Sequence, residues 1–585
     1  MIYKLVVTQI FLIALMGCST LSNSNNWVQQ SNNVAADFSK SFSSIFPELG
    51  SDLGYQEYDS LGSIPSKEID KKERELLLMW KMKLEKLLAN NKDKNLQVDY
   101  LILIEKVKKD LKWKEIDEKI AAIPMYKPSQ DIYNSLHQLI NEQSPDTRKK
   151  AAVARFKFYL SDKGQNNLMR ASQAEIQRLQ AKYKKHSKFY PFVEDIKKYL
   201  EDSPAYVAGI EELLKKSGRS DWKVEYTKFK KEIFLYDNFI KIKLLPLARK
   251  TPNYPLEMYK LTLKAVGVDS APREMIKLGK EKYKMVYLEF ENLSKKIAKK
   301  NKLSKNDPAA VINFLKLNQV SSIKEVSDLY NRAAARLEKI IIKNNLVSLP
   351  ATKLLIRFAG DAESKAAPVP HLIPPPLINN NGILPEFVVP TSSSGRLPFD
   401  DFAYESAATI LTAHEGRPGH DLQFSRMLEN PVSIVRSRYA MSSVNVEGWA
   451  LFAEDLVFPY LTDEEKFVAY QTRLWRIARY YLDPMVQLGE ATRKTVLKVF
   501  TQEMGVSKTM AELEYQRYAF RAPGQATAYY HGLLNIMKLK EDLSSEFGKM
   551  SLKCFNDTLL SFGLLPHKEI RLFKDSFRPC AQTRN

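Results

Sequence analysis

No apolar run among the 585 residues approaches the ~20 needed to cross a bilayer, which excludes a multi-span membrane protein. No segment recurs at a fixed length, which argues against a solenoid. Cysteine is scarce, three in all, and neither Cys554 nor Cys580 stands near a plausible catalytic His, so a cysteine nucleophile is set aside. Acid is in deficit: 68 Asp+Glu face 89 Lys+Arg, a net charge of +21. That excess raises nucleic acid or an anionic surface as partners. Lysines on solvated helix faces are the preferred reading, because no groove-reading motif accompanies the charge. The rest is ordinary for a globular protein, at 44% hydrophobic and 11% aromatic. The length allows two to four packed units or one large helical body.

Lys4 precedes an apolar stretch, Leu5–Met16, closed by Gly17 and Cys18. A basic start, about a dozen apolar residues and a small residue before the cut form an export signal. Leu15-Met16-Gly17-Cys18 resembles a bacterial lipobox. It implies a signal peptide over 1–17, diacylglycerol on the Cys18 thiol and no nucleic acid partner. A chance Cys beside an ordinary signal peptide is the alternative. Ser19 is not an inner-membrane retention Asp, so an exported lipoprotein of the envelope is expected, at the outer membrane on its periplasmic face. Residues 18–60, rich in Ser and Asn to about 35, are expected to be a solvated tether. In an exported chain Cys554 and Cys580 could form a disulfide staple, or could be small unpaired core residues.

Residues 61–360 read as a helical N-terminal region. Leu76, Leu77, Trp80, Leu84, Leu87 and Leu88 stand at three-and-four spacing, and Glu325–Ile342 continues that period. Pro124, Pro128, Pro145 and Pro204 punctuate it. A loop-rich stretch at 365–400 contains the best strand candidate, Leu384–Val389, which could pair with an extended peptide. Helical periodicity then resumes. The expected fold is mainly α with a small β element, and a boundary near 360 opens a catalytic region over 361–585.

The central signal is His414-Glu415-Gly416-Arg417-Pro418-Gly419-His420. Two imidazoles suit zinc, and an adjacent carboxylate can act as base toward its water. Six residues apart on an unbroken helix, the two histidines would point about 120° away from each other. Pro418-Gly419 resolves this by permitting a local bulge that brings His420 round. A third ligand is expected downstream, where Glu447 and Glu454 lie two turns apart among Trp449, Ala450, Leu451 and Phe452. One would ligate and the other would orient a His or hold structure; ordinary surface acids are the alternative.

The core His-Glu-x-x-Pro-Gly-His-x-Leu-Gln resembles the bacterial domain-of-unknown-function 885 family, grouped with zinc peptidases of the His-Glu-x-x-His type. Three further blocks follow in the family's order: Glu447–Glu454, Leu474–Arg479 with Asp483, and Pro523–Tyr529. The resemblance implies a zincin-like, oligopeptidase-like multi-helix body, one zinc ion held by His414, His420 and Glu447, Glu415 as general base, and a peptide substrate. Gly524 to Gly532 also resembles the Gly-x-x-Ala/Gly-x-Tyr-Tyr-x-Gly block of helical oligopeptidases. That implies Tyr529 as the oxyanion donor, with His531 a second candidate, Tyr530 a packing ring, and Gln525 close to ligands or substrate. Arg479 and Asp483, one turn apart, either bind a substrate terminus or brace the helix, and bracing is preferred. His137, His186, His371 and His567 read as surface or packing residues. Two positions depart from the family: Asp421 and Gln487 stand where relatives often have His. The competing expectation is a non-catalytic envelope lipoprotein, a scaffold or binding module on the same fold. Oligomeric state is left open.

Overall fold

Periodic apolar residues become buried helix faces throughout. In Lys67–Asn90 the buried side chains are Leu77, Trp80 and Leu84, and Ser66 caps the first turn by accepting from the Ile69 amide. The computed structural model describes residues 26–582 except 142, 162–166, 321, 361–362, 365–366, 368, 377–379, 381 and 391–400. The signal peptide and Cys18 lie outside the described residues. Among the described residues no helix is long and apolar enough to cross a membrane.

The protein is mainly α. Helices of eight or more residues are α1 (Asn26–Ser43), α2 (Lys67–Asn90), α3 (Lys94–Lys119), α4 (Pro128–His137), α5 (Asp146–Tyr159), α6 (Leu168–Lys182), α7 (Val193–Lys216), α8 (Lys223–Phe239), α9 (Leu256–Ala265), α10 (Pro272–Lys300), α11 (Pro308–Leu315) and α12 (Ile323–Lys343). After the sheet come α13 (Glu405–Glu415), α14 (His420–Glu429), α15 (Ser443–Val457), α16 (Asp463–Gln487), α17 (Lys508–Gln516), α18 (Ala528–Phe547) and α19 (Leu552–Leu560). Pro128 opens α4 and Pro145 caps α5, as turn residues should. Pro204 instead lies inside α7.

Two expectations about organisation are corrected. Residues 26–58 are not a tether, because from Asn26 the chain is helical and docked. Phe38 and Phe42 are buried, and Ser39 and Ser43 satisfy their hydroxyls on the carbonyls of Ala35 and Ser39 within the helix, which lets a serine-rich face pack. Nor does 360 separate two domains. One core joins α1–α3 and α10–α12 to most of the described apolar residues between Phe387 and Cys580, with Phe424, Met427 and Leu564 forming a small cluster apart. A second core is confined to Ala121–Leu244, the α4–α8 bundle. The pairing of α10 with α16 is the most extensive in the molecule. Gly279 permits it, since a Cβ there would stand 2.8 Å from the Tyr481 Cβ.

The β element is a three-stranded sheet of β1 (Leu355–Ala359), β2 (His371–Ile373) and β3 (Glu386–Pro390) in the order β1-β3-β2. β3 runs parallel to β1, with Phe387 opposite Ile356, and antiparallel to β2, with Phe387 opposite Leu372. The strand expected at Leu384–Val389 is therefore central, with both edges occupied, and cannot pair with a substrate. Its residues are buried on both faces, as an uninterrupted apolar run requires. Near the C-terminus Cys554 and Cys580 form a disulfide, their Cα atoms 5.3 Å apart.

Candidate metal centre

α13 ends at Glu415 and α14 begins at His420. The two histidines thus sit on facing helix ends rather than on either side of a bulge in one helix. Between them Gly419 is obligatory for space: a Cβ there would lie 1.8 Å from the His414 carbonyl oxygen. The turn is pinned from two directions. The Trp449 indole donates to the carbonyls of Pro418 and Gly419 at 3.0 and 3.1 Å. Arg417 donates to Asp421 at 2.7 Å and to Glu338 of α12 at 2.8 Å. Asp421 is thus a brace within the turn, fully buried on its arginine.

The helix break turns the imidazoles toward each other, ring centroids 4.9 Å apart and planes at 82°. Glu447 comes from α15, the helix that also supplies Trp449, and its Oε2 lies 3.4 Å from both His414 Nε2 and His420 Nε2. That spacing is long for a hydrogen bond, and Glu447 Oε2 has no hydrogen-bond partner although buried. It matches the separation of two atoms each 2.0–2.1 Å from one tetrahedral ion, about 3.4 Å. His414, His420 and Glu447 form the metal-competent cluster of the described residues. Burial would raise the Glu447 carboxyl, yet the two imidazoles hold it well below the usual range. Burial opposes a charge on His414, but Glu447 and Glu454 outweigh it and lift the imidazole to about 9. The cluster thus attracts a positive charge, which a cation satisfies as a proton does.

Of the two acids on α15, Glu454 is the orienter: His414 Nδ1 lies 2.7 Å from its Oε1. This leaves Nε2 to face Glu447, the carboxylate–histidine arrangement of metal sites. Glu415 lies 4.0 Å from His414 Nε2 and lines the same cavity of about 370 Å³.

Tyr529 stacks on His414 at 6.2 Å, and its hydroxyl accepts from Arg517 at 3.0 Å. Burial raises its pKa against the pull of Arg517, so the phenol keeps its proton. Tyr530 packs on Tyr480. His531 does not join the site: its Nε2 lies 3.0 Å from Asp269, and it does not line the cavity. Gln525 acts one step back, its Oε1 accepting from Arg517 Nε at 2.9 Å.

Arg479 and Asp483 do not pair. Arg479 makes a two-bond fork on Glu514 at 2.8 and 2.6 Å, its guanidinium 4.5 Å from the centre of the Tyr529 ring. Asp483 accepts from Tyr259 and the Gly524 amide and braces the Tyr529 block. Gln487 takes the Tyr254 amide on one end and gives to the Tyr518 carbonyl on the other, a structural bracket. The spacing of charges along α16 hid these partners, which arrive from other helices. Sequence reasoning gave Arg476 and Arg517 no role and read His371 as a surface or packing residue, yet all three line the cavity. Arg473, Arg476 and Arg479 within one largely buried helix were the available signal for Arg476, whereas Arg517 stands outside that helix.

Fold and site together define a mainly helical body with a two-His, one-Glu cluster whose imidazoles are buried and whose carboxylate is half-buried. The family model described as "Bacterial protein of unknown function (DUF885)" matches residues 47–572, and the chain belongs to that family. It is similar to a "putative lipoprotein of unknown function" from Shewanella oneidensis, at 20% identity and a TM-score of 0.72, covering 94% of this chain and 99% of that one. It is also similar to a "putative lipoprotein" from Colwellia psychrerythraea, at 16% identity and a TM-score of 0.74, with the same coverage. At these identities the likeness is one of fold. No curated protein matches the chain.

Proposed function

We propose that the chain is a zinc peptidase of the cell envelope, acting on short or flexible peptides and held to the membrane by lipid on Cys18. The observation that carries the reading is the spacing of Glu447 Oε2, 3.4 Å from each of two facing imidazoles and without a hydrogen bond, beside the carboxylate of Glu415. His414, His420 and Glu447 would hold the ion; zinc bound there supplies Lewis acidity toward a carbonyl and lowers the pKa of water. Glu415 accepts the proton of the attacking water and delivers it to the leaving amine. Tyr529, protonated and steadied by Arg517, donates toward the oxygen on which negative charge develops. The ligands are recessed, His414 only 2% exposed, which favours chains slim enough to enter a cavity. The lipobox and the two lipoproteins of like fold support the envelope address.

Metal analysis of the purified chain, followed by hydrolysis of a diverse peptide library with and without chelator, tests this. One zinc per chain is expected, with activity lost to chelator. Glu415→Gln should keep the zinc and lose about 10²- to 10⁴-fold in rate. A zinc-replete protein that cleaves nothing in the library would replace the peptidase with the non-catalytic scaffold.

A further inference from the structure

The wall of the cavity facing the metal cluster is cationic. Arg476, Arg479 and Arg517 all line it, whereas the carboxylates that answer them, Glu454 and Glu514, lie behind it and outside the lining. Two acids serve three guanidiniums, and they serve them unequally. Glu514 is taken by the two-bond fork of Arg479. Arg517 reaches it only at 3.9 Å and spends its hydrogen bonds on neutral oxygens, those of Gln525 and Tyr529. Glu454 Oε1 accepts from His414 Nδ1 at 2.7 Å and is met by Arg476 only at 3.4 Å. The Nε of Arg476, in a residue 7% exposed, has no partner at all. Asp483, the other acid near Arg517, spends its oxygens on the Tyr259 hydroxyl and the Gly524 amide, and burial raises its pKa to about 8. A buried guanidinium with unmet donors and an unneutralised charge is costly unless a ligand completes it. The ligand that matches a guanidinium fork is a carboxylate.

The distance to the metal cluster is short. The Arg517 guanidinium lies 5.2 Å from the centre of the Tyr529 ring, and that ring lies 6.2 Å from the ring of His414. Arg517 is therefore within about 11 Å of a metal ligand, the reach of about three extended residues.

We propose that Arg476 and Arg517 bind a carboxylate of the peptide substrate no more than about three residues from the scissile bond, either the free C-terminal carboxylate or an acidic side chain. The proposal rests on the peptidase reading and names its substrate class. Released fragments on the carboxylate side are then one to three residues long when the terminal group is the one bound.

The test is calorimetric binding to zinc-loaded Glu415→Gln, with matched hexapeptides as free acids, as C-terminal amides, and as amides carrying Glu in place of Gln near the end. Free acids, or the Glu-bearing amides, should bind at least about tenfold tighter than the neutral amides. Which of the two does so assigns the carboxylate to the terminus or the side chain. Adding Arg476→Gln should reduce that ratio to near one. Arg476→Lys should recover part of it, and unfolding curves confirm that both variants are folded. Equal binding of charged and neutral peptides, or a ratio that survives both Arg476→Gln and Arg517→Gln, overturns the proposal. The two readings fail separately. Hydrolysis of acids and amides alike sinks the carboxylate site and keeps the peptidase. A retained preference for acids in a chain that cleaves nothing does the reverse.

Discussion

Gly419 and Trp449 show how little freedom the centre has at the scale of single residues. The turn between the ligand helices closes on the His414 carbonyl where any Cβ would intrude, so Gly419→Ala must displace His414 or His420. Zinc affinity is expected to fall at least about tenfold, an effect of the size seen when a ligand's support is lost, measured by competition with a chromophoric chelator. Trp449→Phe keeps an aromatic ring, smaller than the indole, and loses both hydrogen bonds to the turn, so a smaller fall in the same assay is expected, with the fold intact. Charge sets a second expectation. Burial would raise Glu514, but Arg479 outweighs it and holds the carboxyl at about 2, below its ordinary 4.5. A depressed carboxyl stabilises the fold fully above its unfolded pKa, and that contribution is lost as pH falls toward the folded value. Between pH 6 and pH 3 the chain should therefore lose about 2 kcal/mol more than Glu514→Gln over the same range, read by urea unfolding. The His414, His420 and Glu447 cluster and the adjacent Glu415 were legible because they are written in one short motif and one downstream helix. Arg476, Arg517 and Glu514 were not, since a guanidinium's partner is chosen by which helices meet and not by what stands four residues away.

Helix–helix contact is where the site gains or loses its geometry. α15 brings Glu447, Glu454 and Trp449, and α18 brings Tyr529; the two cross where Gly448 meets Gly532. A Cβ on Gly532 would lie 2.1 Å from the Val444 carbonyl oxygen and 2.6 Å from the Gly448 Cα. Gly532→Ala should therefore push α18 off α15, lower stability by about 1–3 kcal/mol as overpacking does, and carry Tyr529 away from His414. In peptide hydrolysis the rate should fall while zinc content holds, which separates this variant from a ligand variant. Periodicity gave the helices their places because a stripe of apolar residues has few alternatives once buried. It could not tell that the motif's helix breaks into two, or that the predicted strand is the middle one. Strand order depends on Leu355–Ala359, a segment with no strong alternation of its own.

For the molecule as a whole, the unexpected feature is that the N-terminal segment belongs to the same core as the metal centre. Many serines and asparagines made residues 18–60 look like tether; that rule misses a helix whose Ser39 and Ser43 hydroxyls are satisfied within it and whose few apolar residues share one face. Asp99 of α3 is the knot. It is fully buried, accepts from Ser31 of α1 and from Ser433 at 2.6 Å each, and pairs with Arg436 Nε at 2.9 Å. One carboxylate thus ties α1, α3 and the segment between α14 and α15. Removing one partner of such a buried pair strands the other, so Asp99→Ala should lower stability by about 3–5 kcal/mol. The loss should be local first. α1 loses its Ser31 anchor and Arg436 its counter-charge, while the α4–α8 bundle has its own core and no share in the knot. Hydrogen exchange read by mass spectrometry should then show α1 and residues 433–439 opening ahead of α4–α8. Uniform loss of protection across both cores would mean that they unfold as one unit and that the boundary between them carries no energetic weight.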